Sequence, residues 1–152
     1  MENIKAREKV LALLLMRFKV TPKDSLEITK EWFNNNGDYD WIFLETCLRN
    51  HLVRLENNKL INLYDEHIIK LVNDMRGNER IEIKDRKYHL TTYNQCFIAS
   101  EVVQWMEKKY ILSKSEAIRL AQELIDLKII HHVTDNHEFK NDYLFYRFYI
   151  DE

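Results

Sequence analysis

Only two glycines and one proline occur in the 152 residues, and this scarcity limits the fold more than any other feature of the chain. Glycine enters φ > 0 without steric cost, so tight hairpins and glycine-rich phosphate loops depend on it. A chain whose glycines are Gly37 and Gly77 alone is expected to consist mainly of helices joined by short polar connections. Apolar residues make up 45% and charged residues 32%, enough of each for an ordinary folded domain. The formal net charge of −2 makes the whole protein a poor match for nucleic acid or an anionic membrane, so any such binding must come from a local patch. Cys47 and Cys96 are the only cysteines. They are too few for a disulfide scaffold and lack metal-ligand spacing, which, with no signal peptide visible, makes the cytoplasm the expected location. The apolar run Val10 to Met16 is far shorter than the ~20 residues that span a bilayer and reads as a buried helix.

Along the first 62 residues the pattern is helical throughout. Ile4, Leu11, Leu14, Leu15 and Phe18 share one helical face. Thr21-Pro22-Lys23-Asp24 is a strong helix start, with a hydroxyl cap, proline at the first position and an acid in the first turn. That helix carries Leu26, Trp32 and Phe33 and ends at Asn34 to Gly37. A third helix is expected from Asp40, with Trp41, Leu44, Leu48, Leu52 and Leu55 at helical spacing and a break at Asn57-Asn58. A fourth, with Ile68, Leu71, Val72 and Met75 inward, is expected to end on Gly77 as a left-handed cap.

Beyond Gly77 the texture changes. Ile81 and Ile83 alternate with charges, Tyr88 to Tyr93 is β-prone, and Ser100 to Lys109 returns to helix period. Ser113-x-x-Glu116 is a capping box, and Ser100-Glu101 reads as a cap of the same general kind. Ile129 to Val133 and Tyr143 to Ile150 alternate like two strands joined by a polar stretch. The expected fold class is therefore α+β: about three α-helices, residues 1–60, followed by a winged-helix unit, residues 61–152, of helix, β-hairpin, two helices and two-stranded wing.

Several segments carry a family likeness: Ile83 to Arg86, Cys96 to Trp105, Glu116-Ala117-Ile118, Leu124, Ile129 to Val133, Phe139 and Leu144 to Phe148. In order and spacing they resemble the DEP family, named for Dishevelled and pleckstrin among others, and within it the branch of the DEPTOR domains. The resemblance implies a recruitment module that docks onto proteins or membranes without catalysing a reaction, in intracellular signalling. It also implies a protruding hairpin. Departures from the family pattern are Leu90-Thr91-Thr92 where a tip lysine is common, Asn94 for a proline, and Lys128 for a glycine. Phe97 and Trp105 are read as large buried groups at either end of one helix, and Asp85-Arg86 as a hydrogen-bonded pin at the helix-to-hairpin corner.

Two surfaces are candidates for contact. Lys84, Arg86, Lys87, Tyr88 and Tyr93 on the hairpin, with Lys108 and Lys109 on the following helix, would meet a protein partner or, as the alternative, acidic membrane lipids in a peripheral tether. Glu79, Glu82 and Asp85 interleave with these bases, and from Leu63 onward 13 basic residues face 16 acidic ones, so a mixed, solvated face is the stronger expectation. On the last strand Tyr146, Phe148 and Ile150 alternate with Tyr143, Phe145 and Tyr149. A wing strand normally has one wet face, so the Tyr143, Phe145, Tyr149 side is expected to be covered by Trp32, Phe33, Trp41 and Phe43 or by a partner chain.

Other chemistries are disfavoured. His131, His132 and His137 lack the companions of a metal site, and one core-facing and one solvent-facing histidine are expected from the adjacent pair. No nucleophile elbow, paired-acid motif or phosphate loop occurs, so no catalytic residue, cofactor or metal is expected. The candidate recognition helix sets Lys114, Arg119 and Lys128 against Glu116, Glu123 and Asp126. That neutral balance makes winged-helix DNA binding the least favoured reading, because groove readers concentrate Lys and Arg.

Overall fold

The computed structural model describes residues 1–77 and 79–152, which divide into two units, Met1–Asn78 and Glu79–Glu152. In the first, α1 (Glu2–Arg17), α2 (Pro22–Asn35) and α3 (Trp41–Arg49) are followed by strands β1 (Val53–Glu56) and β2 (Lys59–Asn62) and by α4 (Glu66–Arg76). Helix starts follow the side chains that mark them. Thr21 Oγ1 accepts the Asp24 N–H at 3.1 Å, and Asp40 Oδ1 accepts that of Phe43 at 3.0 Å. The stripe of α1 that is buried is Ala6, Val10 and Leu14; Ile4 is exposed, as is Leu26 on α2. Trp32, Phe33, Trp41 and Phe43 pack on one another, with ring centroids 4.6 to 6.4 Å apart. A buried polar chain runs from Arg76 through Asn50 and Asn73 to the Cys47 sulfur, and burial pushes the Cys47 thiol up to about 11.

The hairpin β1–β2 replaces the last turns of the expected third helix, and the boundary expected at residues 60/61 falls inside β2. Its turn is Asn57-Asn58, with φ of 50° and 58°. Asparagine tolerates the left-handed region, and two such residues in sequence build the primed turn that matches strand twist. The leucine spacing of Leu48, Leu52 and Leu55 fits a helix, but this local turn preference prevails.

In the second unit β3 (Lys84–Tyr88) and β4 (Thr91–Ile98) form a hairpin, followed by α5 (Ala99–Tyr110), α6 (Lys114–Asp126), β5 (Ile130–His132), β6 (Phe145–Phe148) and a 3-10 turn, Tyr149–Asp151. The four strands form one antiparallel sheet in the order β3-β4-β6-β5. Along the chain the expected α+β order of helix, hairpin, two helices and wing is present, its leading helix being α4 of the first unit. Phe97, Tyr146 and Phe148 form the fully buried face of the sheet, beneath Val102, Val103 and Met106 of α5 and Ala117, Ala121 and Leu124 of α6. Ser113 and Glu116 make the reciprocal capping box, whereas α5 starts at Ile98 without a side-chain cap, so Ser100 does not serve as one. Trp105 is only half-buried and donates its indole N–H to the Glu79 carbonyl at 2.8 Å.

Positive φ is carried entirely by other residues than glycine. Among the described residues nine adopt it, including Lys19, His51, His89, Gln95, Ile111 and Lys128, and neither glycine does. Gly77 has φ of −90° and is needed for a different reason: a Cβ there would lie 2.8 Å from the Asn73 carbonyl oxygen. Lys128 stands where the family favours glycine and fills the left-handed position of a Schellman end. There the Ile129 N–H reaches Leu124 O at 2.9 Å and the Lys128 N–H reaches Ile125 O at 2.9 Å. Ile111, the residue closing α5, is β-branched at φ 54° and almost wholly exposed, the costliest combination of the set. Replacing Ile111 with glycine is expected to raise the unfolding free energy by about 1 kcal/mol in urea titration, since αL strain of roughly 1–2 kcal/mol is relieved and little packing is lost. Gly77→Ala is expected to lower it by about 1 kcal/mol or more.

Candidate docking site

The basic side chains of the hairpin are largely neutralised by their own neighbours. Register shifts between Lys84 and Arg86, and the irregularity is held by Asp85 Oδ1, which accepts the Gln95 N–H at 3.0 Å where Gln95 has φ of 52°. Arg86 is pulled inward. Its side chain is 10% exposed, Nε donates to Cys96 O at 3.3 Å and Nη2 to Glu82 O at 3.2 Å, and Glu82 and Glu101 carboxylates each lie 3.8 Å away. The Asp85-Arg86 pair therefore pins strand to strand. Lys84 Nζ is 2.6 Å from Glu82, and Lys84 beside Arg86 holds the Glu82 carboxyl below its usual range. Lys109 pairs with Glu79 at 3.3 Å against the Trp105 ring. Lys87 and Lys108 are exposed. The bases singled out from sequence thus do not converge on one open patch: Arg86 is a structural ion, Lys84 and Lys109 are paired, and Lys108 and Lys109 lie on α5, the helix expected to carry them.

What does converge is aromatic. The tip of the β3–β4 hairpin is a two-residue turn, His89-Leu90, with Leu90 93% and Tyr88 52% exposed. Behind it opens a pocket of about 250 Å³, lined by Tyr88 and Tyr93 from the hairpin, His132 to Thr134, Asn136 and His137 from the wing, and Tyr143 to Phe145 leading into β6. Phe145 is 6% exposed and belongs to a second small core with Cys96 and Ile98, flanked by Tyr93 and Val133. The face expected to need a cover from the N-terminal helices or a partner is thus covered at Phe145 by residues of its own unit. Tyr149 is not part of the pocket; it stacks on His131 at 4.1 Å. Ile150, expected in the core, is exposed in the 3-10 turn because β6 ends at Phe148.

Both histidines of the adjacent pair are buried, so neither is the solvent-facing residue expected from alternation. His131 Nδ1 lies 2.8 Å from Asp135, and its Nε2 lies 2.5 Å from the Glu152 carboxylate, close enough for an ion pair but not aligned as a hydrogen bond. His132 Nδ1 accepts the Thr134 N–H at 3.2 Å and that of Asn136 at 3.4 Å, which fixes the proton of the neutral ring on Nε2. Burial, then the neighbouring His137, lowers the His132 pKa below its ordinary 6.5. Among the described residues no cluster of three or more His, Cys, Asp or Glu is placed to hold a metal. The wing residues of the pocket, His132, Thr134, Asn136 and His137, were not legible as site residues, because their approach to Tyr88 depends on how the wing loop folds back.

The family model described as the domain found in Dishevelled, Egl-10, and Pleckstrin (DEP) matches residues 80–148, the span that supplies the hairpin, both helices and the wing. Residues 80–148 form a DEP domain. Similar DEP regions occur in the human phosphatidylinositol 3,4,5-trisphosphate-dependent Rac exchanger 2 protein, 48% identical over 71 residues, and in the mouse Rac exchanger 1 protein, 40% identical over 84. The vacuolar membrane-associated protein IML1 of Saccharomyces cerevisiae is 29% identical over 96 residues. These matches cover 46%, 55% and 62% of this chain but only 4%, 5% and 6% of the relatives, so the chain spans a small part of each. The expected kinship with the DEPTOR branch gives way to these relatives. Segments such as Cys96 to Trp105 build the DEP fold itself and do not separate one branch from another. No helix among the described residues is long and apolar enough to cross a membrane.

Two measurements check this electrostatic picture. Arg86→Met is expected to destabilise the protein by about 2 kcal/mol in urea titration, the scale of lost charge-assisted hydrogen bonds, while Lys87→Ala stays within about 0.5 kcal/mol. His132 has a folded pKa below its unfolded value, so the unfolded state binds the extra proton. Its contribution is complete above the unfolded value near 6.5 and is lost as pH falls through the folded value. Denaturation midpoints measured from pH 7.5 down to 5 are expected to fall less steeply in His132→Gln.

Proposed function

We propose that the DEP domain is a non-catalytic docking module that binds a protein partner through the β3–β4 hairpin tip and the aromatic pocket behind it. The observation that carries this reading is the pairing of an exposed Tyr88-Leu90 tip with a pocket walled by Tyr88, Tyr93 and Tyr143. Exposed apolar groups beside a recess are what an interface uses, and tyrosine is favoured there because it buries large area at low entropic cost. The neutralised bases support the same choice, since surface ion pairs leave little free charge for phosphate.

A peripheral membrane tether in the cytoplasm is the second reading. It draws on the printed names of two relatives, a phosphatidylinositol 3,4,5-trisphosphate-dependent exchanger and a vacuolar membrane-associated protein, and on the exposed Lys87 and Lys108. Winged-helix DNA binding has no support from α6, where Lys114 and Arg119 stand against Glu116, Glu123 and Asp126.

Sedimentation with liposomes separates the two. The docking reading expects no retention on acidic vesicles at physiological salt. It also expects a cross-linked protein partner that survives about 0.5 M salt, where screening shortens to a few ångströms, and that is lost in Tyr88→Ser with Leu90→Ser. Retention on acidic vesicles that fades with salt and disappears in Lys84→Ala with Lys87→Ala would establish the tether instead.

A further inference from the structure

We infer that the pocket between the β3–β4 hairpin and the wing captures a methylated lysine side chain of a partner protein. This rests on the docking reading and adds to it the chemistry of the group that enters. Phe145 is the floor. Tyr88, Tyr93 and Tyr143 stand around it with their ring planes turned 85°, 70° and 66° to that of Phe145, at centroid distances of 6.3, 5.9 and 5.4 Å. Three steep walls on one floor border an open recess of about 250 Å³, a size suited to the end of a single side chain; sites for whole small molecules run from roughly 300 to 1,000 Å³.

Aromatic faces are electron-rich, and several faces turned toward one space attract a cation there. Shape and hydration select among cations. A planar guanidinium stacks flat on one ring, whereas inclined walls surround a tetrahedral ammonium from several sides. An unmethylated ammonium is compact and strongly hydrated, and the aromatic rings of the walls do not replace its water. Methyl groups spread the charge and remove that hydration cost.

Fixed charge around the pocket agrees with a cationic guest. No lysine or arginine lines it, and His132 presents a neutral ring there, its Nδ1 occupied by backbone N–H groups. The wing segment from Thr134 to Tyr143 carries Asp135, Glu138 and Asp142 against Lys140 alone. These carboxylates lie outside the pocket lining, and Asp135 is taken up by His131 at 2.8 Å, so the segment adds only a weak, screened bias toward a cation over a phosphate or carboxylate.

The test is a two-dimensional amide NMR titration of the full chain with four probes: N-acetyl-trimethyllysine amide, its neutral tert-butyl isostere, N-acetyl-lysine amide and N-acetyl-arginine amide. Saturable shifts at Tyr88, Tyr93, Thr134, Tyr143 and Phe145 are expected with the trimethyllysine probe, and binding at least tenfold weaker with the other three. Tyr143→Ala, whose ring is exposed, is expected to lose this preference while circular dichroism stays unchanged; Tyr143→Phe, which keeps the wall, is expected to retain it. Equal binding of the neutral isostere would overturn the inference and leave a plain apolar socket, with the docking reading intact. Tighter binding of the arginine probe, or no binding of any probe, would also overturn it. So would saturation of the same amides by phosphatidylcholine vesicles but not by the peptide probe, which would give the site to a lipid choline.

Discussion

A phenol taken into an apolar core must find hydrogen-bond partners or lose the solvation it gave up, and Tyr146 finds both of its partners in the wing loop. Its hydroxyl donates to the Glu138 carbonyl at 2.5 Å and accepts the Lys140 N–H at 3.3 Å, while its ring lies against Phe139 and Phe97. One fully buried side chain on β6 thereby ties the loop between β5 and β6 back onto the sheet. Gln122 of α6 adds a second tie by accepting the Phe139 N–H at 2.8 Å. The far wall of the pocket, His137 and Tyr143 included, is placed by these bonds. Burial raises the Tyr146 pKa, so the phenol remains a donor across the physiological range.

The same strand explains why the sheet has two apolar faces. Strand alternation sends Tyr146 and Phe148 toward the helices and Phe145 with Arg147 to the other side. There Phe145 meets Cys96, Ile98 and the hairpin tyrosines. Arg147 does not leave this face wet: Nε donates to Asn94 O at 2.7 Å and Nη1 lies 3.7 Å from Glu152. Arg86 behaves alike from β3. Arg86, a candidate contact residue in the sequence, is instead holding the margin of an aromatic cluster, as Arg147 does. The surface left for a partner is consequently uncharged at its centre.

Much of the fold was legible because its signals are local. The Thr21 and Asp40 caps, the Ser113–Glu116 capping box and the alternation of the last strand each depend on residues a few positions apart. The DEP segments add order and spacing across four elements. Scarcity of glycine was the misleading signal. It predicted few left-handed positions, yet Lys19, His51, Asn57, Asn58 and Ile111 all occupy them. The backbone closes its turns because tertiary packing and hydrogen bonds such as Leu52 N–H to Cys47 O at 2.9 Å outweigh a strain of roughly 1–2 kcal/mol per residue. For this reason the β1–β2 hairpin was hidden under a leucine pattern that equally fits a helix.

The sequence by itself determined which segments are helix or strand in the DEP domain and most of the side chains that carry its core, since these follow from spacing, capping and pleat; Trp105 and Ile150 are the exceptions, half-buried and exposed. It also identified Tyr88, Tyr93, Tyr143 and Phe145 as unusual without saying that they meet. Only the tertiary structure decided that Arg86 is buried, that both His131 and His132 are inside, and that a wing loop and a hairpin separated by the two helices α5 and α6 close on one aromatic recess. Spacing fixes which face of its own element a side chain takes; which other element that face meets is set by strand order and loop closure, and no local pattern encodes them.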